Sequence, residues 1–296
     1  MRIAITGGNG NLARKLIAGL GAEPWCQALV ALDRRFDPIE PPTYASLACI
    51  EADLRDGGDR RWRDALASVD AVIHLAAQNP YPEADWTDSA LSFDMTALLA
   101  TAAAGSGVRR FVFATSNHVM GGYKETDIAV TPGALTEALP PLPGTRWRHD
   151  GGSSDSTPYA VAKLMGERLC CTLAARDGMT AVALRIGWCQ PGENHPATIS
   201  GSGTPHIRFD AMDETDRRDL AWFRGMWLSN RDLVGVFAAA LRADPAGWPA
   251  PGIVVNAVSG NAGMAWSMAR AATLLGFVPA DDAMRVLGEA DDLPRF

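Results

Sequence analysis

Apolar runs of strand length alternate with helix-length amphipathic stretches along most of the chain. Period-two or continuous apolar runs bounded by turn residues predict strands over 2–5, 28–32, 49–51, 71–75, 111–114, 180–185 and 252–258. Apolar positions at helical spacing predict helices over 12–20, 62–67, 86–105 and 158–176, the third rich in alanine. Helix resumes after Arg217. In "WLSNRDLVGVFAAALRAD", Ser229 is placed to cap a helix, and Asp232 stands where a capping box has its acid. Strand–helix alternation of this kind implies an α/β fold, a parallel sheet covered on both faces.

Two stretches interrupt the alternation. Residues 133–157 are rich in Pro, Gly and Ser, and 192–217 carry "ENHPATISGSGTPH" and a charged tail. Both follow strands at the carboxyl edge of the sheet, where open α/β folds bind ligands. They are expected to be lids or substrate-shaping segments, the alternative being mobile linkers.

Composition narrows the class. The 296 residues are 47% hydrophobic, which supports a sizeable core, and the net charge of −7 offers no basic face to nucleic acid. No run of eighteen apolar residues predicts a membrane span. "MRIAITGGNG" starts as a strand, not as a signal peptide, so a cytoplasmic protein is expected. Cys26, Cys49, Cys170, Cys171 and Cys189 show no C-x-x-C spacing and are expected to be small buried hydrophobes in a reducing compartment.

"ITGGNGNLA" follows the first strand and opens the first helix, with Gly7, Gly10 and Ala13 in a G-x-x-G-x-x-G/A pattern. Small residues admit a pyrophosphate to the backbone, and the helix N-terminus offers N–H groups there, at Asn11 and Leu12. Asp33 ends the second strand, where it can accept hydrogen bonds from an adenosine ribose. A Rossmann-type, doubly wound sheet binding a dinucleotide follows. Asp33 repels a 2′-phosphate and favours NAD; Arg34 and Arg35 beside it leave NADP possible. Asp53 and Leu54 after the third strand, and Leu75, Ala76 and Ala77 after the fourth, are expected along the cofactor. His74 is expected to be a buried histidine bonded to backbone.

Tyr159 and Lys163 stand four apart in "PYAVAKLMGE", on one helix face. An ammonium one turn away stabilises a phenolate and lowers the pKa of a tyrosine that would otherwise titrate near 10. "TSNHVMGGY" places Ser116, Asn117 and His118 at the end of the fifth strand. These groups either cap the strand or face a substrate.

Taken together, these segments resemble the extended short-chain dehydrogenase/reductases, which include sugar epimerases and dehydratases. The likeness covers most of the chain. "TSNHVMGGY", "LRIGWC", "FRGMWLSNRDL" and "GNAGMAW" are similar to segments of bacterial uronate dehydrogenases. The resemblance implies that Ser116 binds the reacting oxygen, Tyr159 takes its proton, and Lys163 tunes the tyrosine and holds the nicotinamide ribose. It places Asn79, Asn117, His118 and Trp188 near a sugar and Arg224 on a uronate carboxylate. It implies an NAD-binding region over 1–185, including the Tyr/Lys helix. A smaller substrate-binding region over 186–296 is interleaved with it in one structural unit. A homodimer is also implied.

Two positions depart from that branch. Trp188 and Asn79 both stand where a serine is expected. A tryptophan can stack on a sugar face but cannot replace a hydroxyl. The leading expectation is NAD-dependent oxidation of the anomeric hydroxyl of a sugar acid or related carbohydrate to a lactone. The alternative is an NAD(P)-dependent nucleotide-sugar epimerase or dehydratase. A dinucleotide-sensing regulator is disfavoured, because such proteins often lose the Tyr/Lys pair and this chain keeps it. His195, His206, Asp210, Asp213 and Glu214 fit no common metal-ligand spacing, so no metal is expected. Trp222, Phe223, Met226 and Trp227 are expected to pack a helix.

Overall fold

The computed structural model describes residues 1–77, 84–149, 152–199 and 212–289. In chain order its strands are β1 (Arg2–Thr6), β2 (Ala28–Asp33), β3 (Ser46–Glu51), β4 (Ala71–His74), β5 (Arg110–Ser116), β6 (Arg146–His149), β7 (Gly152–Asp155), β8 (Thr180–Ile186) and β9 (Gly252–Ala257). Its helices are α1 (Asn11–Gly21), α2 (Arg60–Leu66), α3 (Trp86–Gly105), α4 (Thr157–Asp177), α5 (Glu214–Gly225), α6 (Asn230–Arg242), α7 (Ala269–Leu275) and α8 (Ala283–Glu289).

Seven strands form one parallel sheet in the order β3-β2-β1-β4-β5-β8-β9. The order reverses at β1, where Ile3 pairs with Leu29 of β2 on one side and Ala71 of β4 on the other. A crevice opens at the carboxyl ends of strands at such a switch point. Alternating side chains feed two cores. Ile3 and Ile5 of β1, with Val112 and Ala114 of β5, pack under α1, α6 and α7. Ala4, Phe111 and Phe113 point the other way, against α2, α3 and α4. The sheet is therefore doubly wound, as the alternation predicted. A third cluster, with Val119, Trp147, Phe223 and Trp266, sits beyond the carboxyl edge.

Residues 133–157 hold more structure than expected. β6 and β7 form an antiparallel hairpin in which Trp147 pairs with Ser154. Only Trp147 of "RWRH" is apolar and buried, so the segment shows no readable alternation. Ser229 caps α6 by accepting from the Asp232 amide. Asp232 does not complete a capping box; its carboxylate accepts from Ala280 N, Asp281 N and Ser259 Oγ. The cysteines are free, but Cys49 is exposed; only Cys26 and Cys170 are fully buried. Among the described residues no helix is long and apolar enough to cross a membrane.

Candidate active site

A groove of about 350 Å³ runs along the switch point. Gly7, Gly10, Asn11, Leu12, Asp33, Asp53, Leu54, Leu75, Ala76 and Ala77 all line it; Tyr159 and Lys163, also expected along the cofactor, are not among its lining residues. Gly7 has φ +68°, and a Cβ there would meet Ala76 N at 3.0 Å. Gly10 is the N-cap of α1, and no side chain caps the helix. The first-turn amides thus border the groove with their dipole end exposed to an anion. The Asp33 carboxylate accepts from the amides of Asn9 (2.9 Å) and Arg34 (2.7 Å), which fixes it at the groove wall. Arg55 forks onto Asp53, with Nη2 2.5 Å from Oδ2, and holds that carboxyl below its usual range. The chemistry of this lining fits a dinucleotide: small glycines would admit a pyrophosphate to the backbone, and the Asp33 carboxylate would accept from a ribose.

His74 buttresses the groove from behind. The Thr6 hydroxyl accepts from Leu75 N (3.1 Å) and Ala76 N (3.2 Å), so its own proton goes to His74 Nδ1 at 2.7 Å. His74 Nε2 then donates to the Thr96 hydroxyl at 3.0 Å, which itself donates to Ser92 O. The histidine is buried as expected, but its partners are two threonine hydroxyls, not backbone. Burial pushes its pKa down to about 3, which keeps it neutral.

The catalytic candidates meet where β5 abuts α4. Ser116 accepts from His118 N at 3.2 Å, capping the 3-10 helix that follows, and its hydroxyl is near enough to Tyr159 to lower the phenol's pKa against burial. Lys163 Nζ donates to Ala114 O at 2.8 Å and lies 5.7 Å from the centre of the Tyr159 ring. The expected lowering of the tyrosine pKa is not what this geometry gives. Burial raises it, and the Ser116 hydroxyl opposes burial without reversing it. Burial also brings Lys163 down to about 8.

Asn117 and His118 behave differently. The Asn117 side chain is 1% exposed, and among the described residues neither its amide nitrogen nor its oxygen has a hydrogen-bond partner. His118 Nδ1 is held by Thr145 Oγ1 (2.7 Å) and Ser156 Oγ (3.0 Å), and burial pushes its pKa down to about 3. Its ring stands edge-on to Tyr159 at 6.1 Å. From His118 a chain of rings runs through Trp147 (6.5 Å) to Phe223 (6.0 Å) and on to Trp188 (5.4 Å). Arg224 is buried beside Phe223, and burial lowers its pKa. Asn79 lies outside the described residues. Trp222, Phe223, Met226 and Trp227 are all buried in the third cluster, as expected.

Some supporting residues escaped the sequence reading. Glu167 accepts from Thr115 Oγ1 (2.9 Å) and from Arg185 through both Nε (2.9 Å) and Nη2 (2.8 Å), all buried. Glu167 stands four residues after Lys163 on the same helix face, the one signal that could have flagged it. Thr6 and Thr96 carried none. His195 caps a 3-10 turn and Asp213 caps α5; His206 and Asp210 lie outside the described residues. No group of three His, Cys, Asp or Glu side chains among the described residues could hold a metal.

The sequence model of the NAD-dependent epimerase/dehydratase family matches residues 3–190. The chain is 29% identical over 294 residues to L-arabinose 1-dehydrogenase (NAD(P)(+)) of Haloferax volcanii, covering 97% of this chain and 99% of that one. It is also 29% identical over 296 residues to the NAD-dependent glucose-6-phosphate dehydrogenase of the same organism, covering 98% and 97%. The crystal structure of uronate dehydrogenase from Agrobacterium tumefaciens superposes with a TM-score of 0.65 at 24% identity, covering 99% of this chain and 91% of that one.

Proposed function

The chain belongs to the NAD-dependent epimerase/dehydratase family, and on that premise we propose that it oxidises the anomeric hydroxyl of a sugar acid to a lactone. The observation that carries this reading is the meeting of Ser116, Tyr159 and Lys163 at the carboxyl end of β5. Ser116 positions the anomeric oxygen by hydrogen bond, and Tyr159 takes its proton; burial raises the phenol, so this role depends on the nearby Lys163 ammonium favouring the phenolate. Lys163 keeps a positive charge near the ring and, in this reading, holds the nicotinamide ribose. Bound NAD supplies the acceptor for the hydride leaving the anomeric carbon. Proton and hydride together account for the two electrons and two hydrogens lost when the hemiacetal becomes a lactone.

The substrate class rests on two further groups. Asn117 offers a buried amide with both its donor and acceptor open to sugar hydroxyls. Arg224 is a buried guanidinium, and a carboxylate matches its fork bidentately and offsets the cost of burying its charge. Trp188 gives the sugar an apolar face in place of a hydroxyl contact. In this reading residues 186–296 supply the substrate side and 1–185 the cofactor side.

The test is NADH absorbance with purified protein, NAD and a panel of galacturonate, glucuronate, glucose 6-phosphate, glucose and L-arabinose. Uronate turnover about tenfold or more above the neutral sugars is expected, with Arg224→Leu raising KM for the uronate by about 10²-fold. Turnover of neutral sugars alone removes the carboxylate from the proposal. Stoichiometric NAD retained through purification, with silence across the panel, favours the epimerase or dehydratase reading. Tyr159→Phe is expected to reduce turnover by about 10²- to 10⁴-fold while leaving NAD binding intact.

A further inference from the structure

Three consecutive residues at the end of β5 are each tied to a different turn of α4. The carbonyl of Ala114 accepts from Lys163 at 2.8 Å and the Thr115 hydroxyl donates to Glu167 at 2.9 Å, while the Ser116 hydroxyl acts on the acidity of Tyr159. Tyr159, Lys163 and Glu167 are spaced four apart, so they form one stripe along the helix. We infer that Glu167 is a positioning residue for the catalytic pair, setting how far along β5 the helix sits. This inference rests on the reading of Tyr159 as the proton acceptor.

The Ala114–Lys163 and Ser116–Tyr159 rungs are the chemistry itself, and each can be made only if the helix is placed correctly along its axis. Ser116 offers one short hydroxyl, and Lys163 is a flexible side chain that can follow a displaced helix. Neither fixes the register well. Glu167 does, because it is held from two strands at once. Its Oε1 accepts from Thr115 of β5 and from Arg185 Nε, and its Oε2 accepts from Arg185 Nη2 of β8. Glu167, Thr115 and Arg185 are 2%, 0% and 3% exposed. In that setting an alternative position of the helix would strand a buried charge. The helix is also pressed against β5, since a Cβ on Gly166 would meet the Phe113 ring at 2.7 Å. Small axial shifts are therefore resisted by packing, and the Glu167 contacts select which position is kept.

The separation from a merely structural role is direct. A residue that only holds the fold together changes stability. A residue that sets register changes how the Ser116 hydroxyl meets Tyr159, and with it the acidity of the phenol. That acidity is read spectroscopically, as phenolate absorbance during alkaline titration. The chain has four tyrosines, so each variant is titrated against its own Tyr159→Phe counterpart and the difference belongs to Tyr159.

The experiment compares Glu167→Ala, Glu167→Gln, Thr115→Val and a remote core variant, Leu241→Ala, which empties space beneath α6. Expected for Glu167→Ala is an upward shift of the Tyr159 midpoint, since the Ser116 hydroxyl lowers it. Turnover falls by about 10²-fold, the scale of a one-ångström misplacement, and NAD affinity stays within about twofold because the groove is untouched. Glu167→Gln keeps the shape and one acceptor but sets an amide N–H against Arg185, so it restores only part of both readouts. Leu241→Ala lowers the melting temperature without moving the Tyr159 midpoint. If Glu167→Ala does not fold, Thr115→Val carries the test, since it removes one rung and leaves the ion pair in place. A Thr115→Val or Glu167→Ala protein that is folded and shows the unmodified Tyr159 midpoint and turnover overturns the inference. Absence of NAD reduction by the unmodified protein with every sugar defeats the proposed reaction instead, and the Tyr159 midpoint still decides this one.

Discussion

The Lys163 ammonium stands 5.7 Å from the centre of the Tyr159 ring while donating 2.8 Å to the carbonyl of Ala114. The pair is thus organised by the end of β5 as much as by the helix that carries both residues. Burial dominates the acidity of each, raising the phenol and lowering the ammonium.

That burial has a measurable cost. Lys163 titrates near 8 in the folded protein and near 10.5 when unfolded. Between those values the unfolded chain binds more protons, so stability rises with pH across the window. The contribution is complete above the unfolded value and is lost as pH falls towards 8, about 3 kcal/mol in all. Urea unfolding at steps through this range should show the rise, and Lys163→Met should flatten it. An unchanged rise in the variant would assign it to other groups.

At acid pH the sign is set by two histidines. His74 and His118 are each held at about 3 in the folded state, against 6.5 when free. As pH falls below the free value the unfolded chain takes up protons that the folded chain refuses. Stability is lost at up to about 1.4 kcal/mol per pH unit for each histidine. His118→Asn should roughly halve the slope of unfolding free energy against pH between 6 and 4.5. A slope unaffected by that change would refute the assignment.

Gly7→Ala is expected to separate the cofactor groove from the fold. The new Cβ meets Ala76 at 3.0 Å in a left-handed backbone with φ +68°. Backbone strain costs about 1–2 kcal/mol, and the shifted loop should weaken NAD binding by about tenfold or more. Gly263→Ala is the control, since its φ is +78° with nothing within 4 Å of the new Cβ. It should lose similar stability and keep NAD affinity, measured by calorimetric titration.

Asp33→Asn is expected to weaken NAD binding and narrow the preference over NADP by about tenfold, because removing the carboxylate removes repulsion of a 2′-phosphate while Arg34 stays in the groove. Paired titrations with the two cofactors decide this, and an unchanged ratio would show that Asp33 does not set the preference.

Lys124 and Asp219 form a second buried ion pair, 2.5 Å apart, that joins the segment after β5 to α5. Asp219→Ala leaves the buried ammonium only the half-exposed Glu125, 3.1 Å away, and should cost up to about 3–5 kcal/mol. The double change Lys124→Met with Asp219→Leu should recover most of that loss in thermal unfolding. Recovery of none would mean that the shape of the pair, rather than its charge, is what matters.

The sequence by itself determined the sheet, the glycine loop and the placing of Tyr159 and Lys163 on one helix face. These follow from local rules: period-two apolar runs, a strand–glycine–helix junction, and four-residue spacing on one helix face. Gly7, Gly10, Asp33, Leu54 and Ala76 could be placed in the groove because the junction dictates where each strand end lies. Only the tertiary structure decided the acidities and the supports. Ser116 caps the 3-10 helix after β5, and burial raises the Tyr159 phenol where helix spacing to Lys163 alone implied lowering. The Thr6–His74–Thr96 chain and the Thr115–Glu167–Arg185 network join residues from separate strands and helices, so no window along the chain contains them. The β6–β7 hairpin was hidden for another reason: its one buried apolar side chain, Trp147, leaves no period to read. Desolvation and long-range hydrogen bonding depend on what folds against a residue, and that is a property of the packed molecule.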